Sequence, residues 1–511
     1  MFRRAIKNTY ILSLGTFLSR VLGFLRDILI ANFFGTSGLL EAFLVSFRLP
    51  NIFRSIFAEG FSDSVATPVL SEHNQDKKRL FAIGANMISF LVVILLSASL
   101  LGSLFSKYLV ALIAPGFIGQ EDKFNLAVSF THMTFIYLFL IGLASAIMSI
   151  LYSLRKFLIP AINPAFLNIS FIAGILFFNR FFKNYILVIC VLIAGILQVI
   201  IPFVFLKKEG FYFKFDFLAS LRDKEVIKML RLFVPRIWSS VVYHMSVFID
   251  TIFASLHFIV GQGALASIYY ADRLIQFPFA LVALSVSRVA IVDLSSYHSQ
   301  GKVEEFKKLL VFSFQNIIFF ILPIVFIFIF LSEGLLDVFF TRGRFDQNSL
   351  RMTSSILFFY SFGLFFFCGI KLLVNSFYSL KDTRTPAKTA TFSLIINIIL
   401  SAVLMFPLKA GGIALGSSLA AMANFFILYH LLAKKIGHID WQDTKSQFFK
   451  VFLLSISAGF AAHFLWDFLL FNKYIKMLII LSAISFLFVT LGYMLGLKQV
   501  RYAKQWILKK K

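Results

Sequence analysis

Apolar residues run along this chain in long blocks, each broken by a short cluster of charge, Gly or Pro. A helix needs about 20 apolar residues to cross a bilayer. On that measure the pattern predicts fourteen membrane-spanning helices, over about 9–34, 38–72, 80–106, 124–152, 157–179, 184–206, 229–256, 264–297, 309–332, 352–380, 386–408, 411–433, 449–471 and 475–497. The stretches 38–72 and 264–297 exceed what a bilayer requires, so these helices must tilt, bend or run past the hydrocarbon.

An even number of spans leaves both termini on one side, and basic loops select the cytoplasmic one. Of the 49 Lys and Arg, 31 fall in loops and ends on the side of the N-terminus and 10 in the loops opposite. The bias alternates around the chain, so both termini are expected in the cytoplasm. The remaining eight, Arg20, Arg26, Arg48, Arg54, Arg236, Arg273, Arg288 and Lys371, lie inside predicted spans. Each costs ~2.5–3.5 kcal/mol at a helix centre, on the order of 20 kcal/mol for the set. Some can snorkel to an interface, as expected for Arg236, Arg288 and Lys371. The others are expected to line a wet cavity.

Composition agrees with this reading and narrows the function. Of 511 residues, 59% are apolar, 14% are charged and 68 are Phe. Soluble domains hold about 45–50% apolar and about 25% charged residues, so soluble enzymes, disordered chains and disulfide scaffolds are excluded. The net charge of +25 would suggest nucleic acid in a soluble protein. Here it divides between cytoplasmic loops and intramembrane arginines, and no nucleic-acid partner is expected. Cys190 and Cys368 sit in apolar runs without metal or redox spacing. The first apolar stretch reads as a retained span, not a cleaved signal. Phosphate-loop, HExxH, CxxC and GxSxG patterns are absent, so no catalytic residue, firm metal site or cofactor is expected. The eight His are scattered and suggest packing rather than ligation.

A repeat is also legible. Tyr152-Ser153-Leu154 with Pro160-Ala161 recurs as Tyr378-Ser379-Leu380 with Pro386-Ala387, an offset of 226. Asp27 and Ala31 match Asp250 and Ala254 at 223, and Ala66 with Leu70-Ser71 matches Ala290 with Leu294-Ser295 at 224. Two related six-helix halves of like orientation are a transporter architecture. The expected organisation is an all-α polytopic membrane protein: an N-terminal lobe over 1–208, a cytoplasmic amphipathic linker over 209–228, a C-terminal lobe over 229–435, two further helices within 447–498, and a basic tail over 499–511. The basic residues of 207–233 are expected to meet anionic lipid headgroups.

The candidate chemistry lies in the first two helices. Arg20 and Asp27 are two turns apart and share a face, with Arg26 beside them. Arg48 and Arg54 flank Pro50 and Asn51 on the second helix, between Glu41 and Glu59. Pro50 can bend that helix and free backbone carbonyls, which lipid does not tolerate outside a wet cavity. Guanidinium forks grip phosphate oxygens in pairs, so the cluster points to a diphosphate or other polyanion. The competing reading is structural: Arg26 paired with Asp27, Arg54 with Glu59, and the rest snorkelling. Asp272-Arg273 is the second-half counterpart, or a local pair. Asp250, mid-helix, suits a cation or proton, or a partner for Arg273. Gly412 and Gly416 mark close helix packing.

Ser19-Arg20-Val21-Leu22-Gly23 with Arg26-Asp27, Arg48-Leu49-Pro50-Asn51 with Arg54, Phe57-Ala58-Glu59-Gly60, Tyr270-Ala271-Asp272-Arg273 and Phe377 through Pro386 together closely resemble the MurJ (MviN) lipid II flippases. These belong to the multidrug/oligosaccharidyl-lipid/polysaccharide exporter superfamily. The resemblance runs from residue 10 to about 435, and the last two helices are present as the family requires. It implies a bacterial inner-membrane transporter moving undecaprenyl-diphosphate-linked peptidoglycan precursor, lipid II, outward by alternating access. It implies that Arg20, Arg26, Asp27, Asn51, Arg54 and Arg273 serve substrate binding, with Glu41, Glu59 and Asp272 as cavity acids. It also implies a lipid-tail groove on the last two helices. Coupling to membrane potential or to Na+ or H+ follows by the same resemblance, with Asp250 and Asp382 the candidate cation residues. A monomer, working beside the cell-wall synthesis machinery, is the expected state. A flippase for another undecaprenyl-linked oligosaccharide, of O-antigen or capsule type, is the alternative. Three departures stand out: Ser285 through Asp293 lacks the Gly and Pro usual there, Ser55 replaces a basic residue of many members, and Arg236 occupies a position normally small and neutral.

Overall fold

The computed structural model describes residues 2–56, 61–62 and 65–508, without the side chains of 2–13, 234–244, 443, 503, 504 and 506–508. Glu59, and the side chains of Arg236 and His244, therefore lie outside the described residues. Among the described residues every regular element is helical, as lipid demands of a chain whose backbone groups find no water. The long helices are α1 (Phe2–Phe34), α2 (Gly38–Ser55), α3 (Lys77–Leu104), α4 (Glu121–Ser153), α5 (Leu158–Ala173), α6 (Ile186–Lys208) and α7 (Lys224–Ser255). Then follow α8 (Ala264–Ser299), α9 (Val303–Phe339), α10 (Gln347–Ser379), α11 (Arg384–Leu408), α12 (Ala410–Ile436), α13 (Gln442–Phe468) and α14 (Lys473–Met494).

Ten helical stretches are long and apolar enough, among the described residues, to cross a membrane. The expected spans 157–179 and 184–206 appear as one helical run, Leu158–Lys208, in which a π segment at Gly174–Phe178 and a turn at Lys183–Tyr185 join α5 to α6. α1, α2 and α7 are not among the ten. The reason for α2 is its charge: eighteen residues carry Glu41, Arg48 and Arg54.

The chain forms two compact units, Met1–Leu256 and His257–Lys511. In the first, α4 packs against α2, α3 and α6, and α1 lies on α5. α7 also belongs here, although the repeat opens the second half with it. The Gly116 N–H donates to Ser255 Oγ at 3.1 Å, and a Cβ at Gly116 would stand 2.0 Å from the Ser255 carbonyl oxygen. In the second unit α12 packs on α10 and α11. A Cβ at Gly412 would come within 2.1 Å of the Leu404 carbonyl oxygen, which is the close approach expected of that glycine pair. α13 packs on α9, and α14 on both. Phe460, Phe464, Phe468, Leu478 and Phe486 are left exposed on this pair.

Pro50 has a specific consequence. Lacking an N–H, it deprives the Ser46 carbonyl, four residues earlier, of its helical donor. The Thr134 hydroxyl of α4 replaces that donor at 2.9 Å, and both residues are buried. The freed carbonyl is thus met by protein rather than by a wet cavity, and α2 stays α-helical through the proline to Ser55. Its pitch changes only at Ile56, where π turns begin before helix Thr67–Ser71. α8 changes pitch at the matching place: a π segment, Phe279–Ala283, follows Pro278. The stretch 285–293, devoid of Gly and Pro, is regular α-helix within Leu284–Ser299.

The repeat is written into the backbone. Among the described residues, four that are not glycine have positive φ: Arg155 (59°), Lys183 (42°), Lys381 (59°) and Lys409 (52°). They are two pairs at the same 226-residue offset as the Tyr-Ser-Leu motifs. Both turns close alike. Lys156 N–H donates to Leu151 O and Asp382 N–H to Phe377 O, each at 2.9 Å. Each also carries an ion pair, Lys156–Glu209 at 2.5 Å and Asp382–Lys435 at 2.9 Å, with the signs exchanged between halves.

Candidate functional site

Three predicted arginines of the first unit hold polar partners that orient them. On α1, Arg26 Nε and Nη2 donate to Asp27 Oδ1 at 3.0 and 2.8 Å. Its Nη1 donates to Asn168 Oδ1 of α5 at 3.0 Å, and its guanidinium lies 5.6 Å over the Phe171 ring. Asn168 is itself fixed, because its Nδ2 donates to the Ser19 carbonyl at 2.9 Å. Asp27 and Asn168 are buried while Arg26 keeps some exposure. The Arg26–Asp27 pair of the competing structural reading is therefore present, and α5 supplies a second restraint.

On α2, Arg54 Nε donates to Asn51 Oδ1 at 2.9 Å. Arg48 Nε donates to Thr251 Oγ1 of α7 at 3.1 Å, and that hydroxyl in turn donates to the Val247 carbonyl at 2.6 Å. The amide oxygen of Asn51 directs the Arg54 guanidinium without cancelling its charge. Arg20 is exposed on α1, and Asp250 lies half-buried on α7 beside Thr251. Glu41 pairs with Lys123 of α4, both largely buried, with the ammonium 4.0 Å over the Phe117 ring. A buried charge without a partner is costly, so this pair ties the start of α2 to the start of α4.

In the second unit, Asp272 accepts from Gln276 Nε2 at 2.9 Å, and the Arg273 guanidinium stacks 4.6 Å over Tyr269. Asp382 caps α11: the Arg384 and Thr385 N–H groups, the Thr385 hydroxyl and Lys435 all donate to it. The Thr385 amide first, then Lys435, hold its carboxyl well below the usual carboxylate range. Arg288 is exposed and Lys371 half-buried.

Asn168, Thr251 and Lys123 escaped the sequence reading. For Asn168 the signal was present: an amide in an apolar helix demands a partner, whereas its Asn-Ile-Ser context suggested only a chance sequon. Chemically, a guanidinium is an anion-binding group; in the first unit Arg26 is ion-paired with Asp27, and Arg54 is held by the neutral amide of Asn51.

Residues 30–485 match the family described as "Lipid II flippase MurJ". The probable lipid II flippase MurJ of Buchnera aphidicola subsp. Acyrthosiphon pisum is 35% identical over 434 residues, 84% of each chain. A solved lipid II flippase MurJ in an inward closed conformation is 25% identical, with a TM-score of 0.78 over 95% of this chain and 99% of that one. An inward-facing multidrug resistance MATE family transporter of the MOP superfamily has a TM-score of 0.65 over 82% of this chain and 96% of its own. At 14% identity it shares the fold alone. With a family match over most of its length and relatives this similar, the chain belongs to the MurJ family of lipid II flippases.

Proposed function

We propose that this protein carries lipid II from the inner to the outer leaflet of the bacterial inner membrane by alternating access. The chain would cross the membrane fourteen times with both termini in the cytoplasm. Its six-helix halves, 1–208 and 229–435, would rock about a central cavity. Arg20, Arg26 and Arg54, with Arg273 from the second half, would bind the diphosphate. Asp27 and Asn51 would hold their partners in place, and Glu41, Glu59 and Asp272 would balance charge nearby. The sugar–peptide head would occupy the cavity, with the prenyl tail against the exposed Phe and Leu side chains of 447–498. No cofactor or covalent step is needed. The basic residues of 207–233 and the tail 499–511 would face anionic headgroups. The protein would act as a monomer beside the cell-wall synthesis machinery. Moving one charge through 100 mV is worth ~2.3 kcal/mol, so an electrical driving force is energetically sensible. Asp250 is the acid best placed for a coupling Na+ or H+, since Asp382 already serves as a helix cap.

The observation that carries this reading is Arg54. Its described partner is a neutral amide, Asn51, so the guanidinium is aimed yet keeps its charge for an anion. Arg54→Ala should fail to rescue a bacterium depleted of its own lipid II flippase, and full rescue would refute the role. Purified protein should bind lipid II well above undecaprenyl phosphate; equal or absent binding overturns the substrate assignment.

A further inference from the structure

Outside the arginine site, one cluster combines ligand chemistry with unsatisfied groups. Glu72 and His73 follow helix Thr67–Ser71, and Glu225 lies in the first turn of α7. One ligand atom from each lies within 4.8 Å of the other two. The N–H groups of all three are bonded, that of Glu72 to the Pro68 carbonyl at 3.3 Å. His73 N–H donates to the Leu70 carbonyl at 3.1 Å. Glu225 N–H donates to Asp223 Oδ1 at 2.9 Å, and Asp223 is itself anchored to α3 through Asn86 Nδ2 at 2.8 Å.

His73 Nε2 and Glu225 Oε2 are sealed from solvent, and neither has a hydrogen-bond partner. His73 Nε2 stands 3.6 Å from Glu225 Oε1, too far for a hydrogen bond. A closed imidazole nitrogen without a hydrogen-bond partner is unfavourable. The only cation within 4 Å of both carboxylates among the described residues is Lys228. Its Nζ is 2.7 Å from Glu72 Oε2 and 3.7 Å from Glu225 Oε2. One ammonium thus serves two carboxylates and leaves the imidazole nitrogen unmatched.

We propose that Glu72, His73 and Glu225 bind a divalent transition-metal ion in place of the Lys228 ammonium. One imidazole nitrogen and two carboxylate oxygens form a borderline donor set, suited to Mn2+, Co2+ or Zn2+ more than to Ca2+ or Mg2+. Ligand bonds of about 2.0–2.2 Å would draw the three side chains slightly inward. The remaining positions would go to water, since Glu72 is open to solvent on its outer side. The ion would cross-link the segment after α2 to the first turn of α7, and so restrain the helix whose Thr251 holds Arg48.

The test uses the full-length protein in detergent, with any purification tag removed and after chelation, titrated with Co2+ and read by visible d–d absorption. The expected result is one saturable equivalent that Zn2+ displaces. His73→Ala and Glu225→Gln should weaken it more than about tenfold. Lys228→Met removes the competing ammonium and should tighten it about tenfold, which keeps the test decisive if a ligand variant folds poorly. Absence of a saturable equivalent, binding indifferent to His73→Ala, or no gain in Lys228→Met would each overturn the site and leave an ordinary ion-pair cluster.

Discussion

Replacing Asn168 by Ala removes the α5 hydrogen bond to Arg26, with the Phe171 ring contact and every arginine left in place. The bond lost runs from a charged guanidinium to an amide oxygen at 3.0 Å. Hydrogen bonds to charged groups contribute about 1.5–3 kcal/mol. If that energy serves to hold Arg26 for the diphosphate, lipid II affinity falls about ten- to a hundredfold, at 1.4 kcal/mol per decade. Asn168→Asp keeps an acceptor at the same point but adds a second carboxylate beside Asp27. Two anions would then face one guanidinium, and binding should fall further. The assay is equilibrium binding of labelled lipid II to purified protein, with Arg26→Ala measured in parallel and Tm recorded for each variant. Wild-type affinity in Asn168→Ala alongside weak binding in Arg26→Ala would refute a positioning role. Equal affinity in Asn168→Asp and Asn168→Ala would refute the electrostatic part.

Thr134→Val should cost about 1–3 kcal/mol by leaving the Ser46 carbonyl buried without a donor. Adding Pro50→Ala restores the helical N–H to that carbonyl, so denaturation of the double variant should recover most of the loss; strictly additive costs would count against the pairing. A third prediction concerns acid. Asp382 titrates well below the usual carboxylate range because of the Thr385 amide and then Lys435. A depressed folded pKa adds stability that is in place above the unfolded value of about 3.9 and is lost as pH falls through the folded one. Asp382→Asn should therefore flatten the acid limb of a Tm-against-pH curve below about pH 4. The size will be modest, since Lys435 is solvent-exposed and screened. An unchanged acid limb would show that the cap carries no charge-dependent stability.

Much of the architecture was legible because a bilayer imposes a single demand. Apolar blocks predict helices, and those blocks agree with α3 to α6 and α8 to α14. The Tyr-Ser-Leu repeat was readable for a related reason. The turn after it needs a residue in the left-handed region, and the chain keeps Arg155 and Lys381 there despite the strain. The site was legible only as a list of arginines. What aims each one comes from far along the chain: Asn168 is 142 residues from Arg26, and Thr251 is 203 from Arg48. An amide in an apolar helix announces that Asn168 needs a partner, but not which one, and Thr251 announces nothing. Pro50 shows the limit from the other side. Its missing N–H is certain from sequence, but that Thr134 would answer it depends on how α2 and α4 pack.

The exchanged signs of Lys156–Glu209 and Asp382–Lys435 bear on how a duplicated chain avoids confusing its own parts. Two halves with the same turn could trade partners while folding, since each offers the other a matching turn and a charged residue at the same offset. A crossed pairing would set Lys156 against Lys435 and Asp382 against Glu209, like charge on like in both places. The correct pairing sets opposites together twice. Identical ion pairs in the two halves would have stabilised each turn equally well and discriminated nothing. Opposite ones act as a label by which each half selects itself.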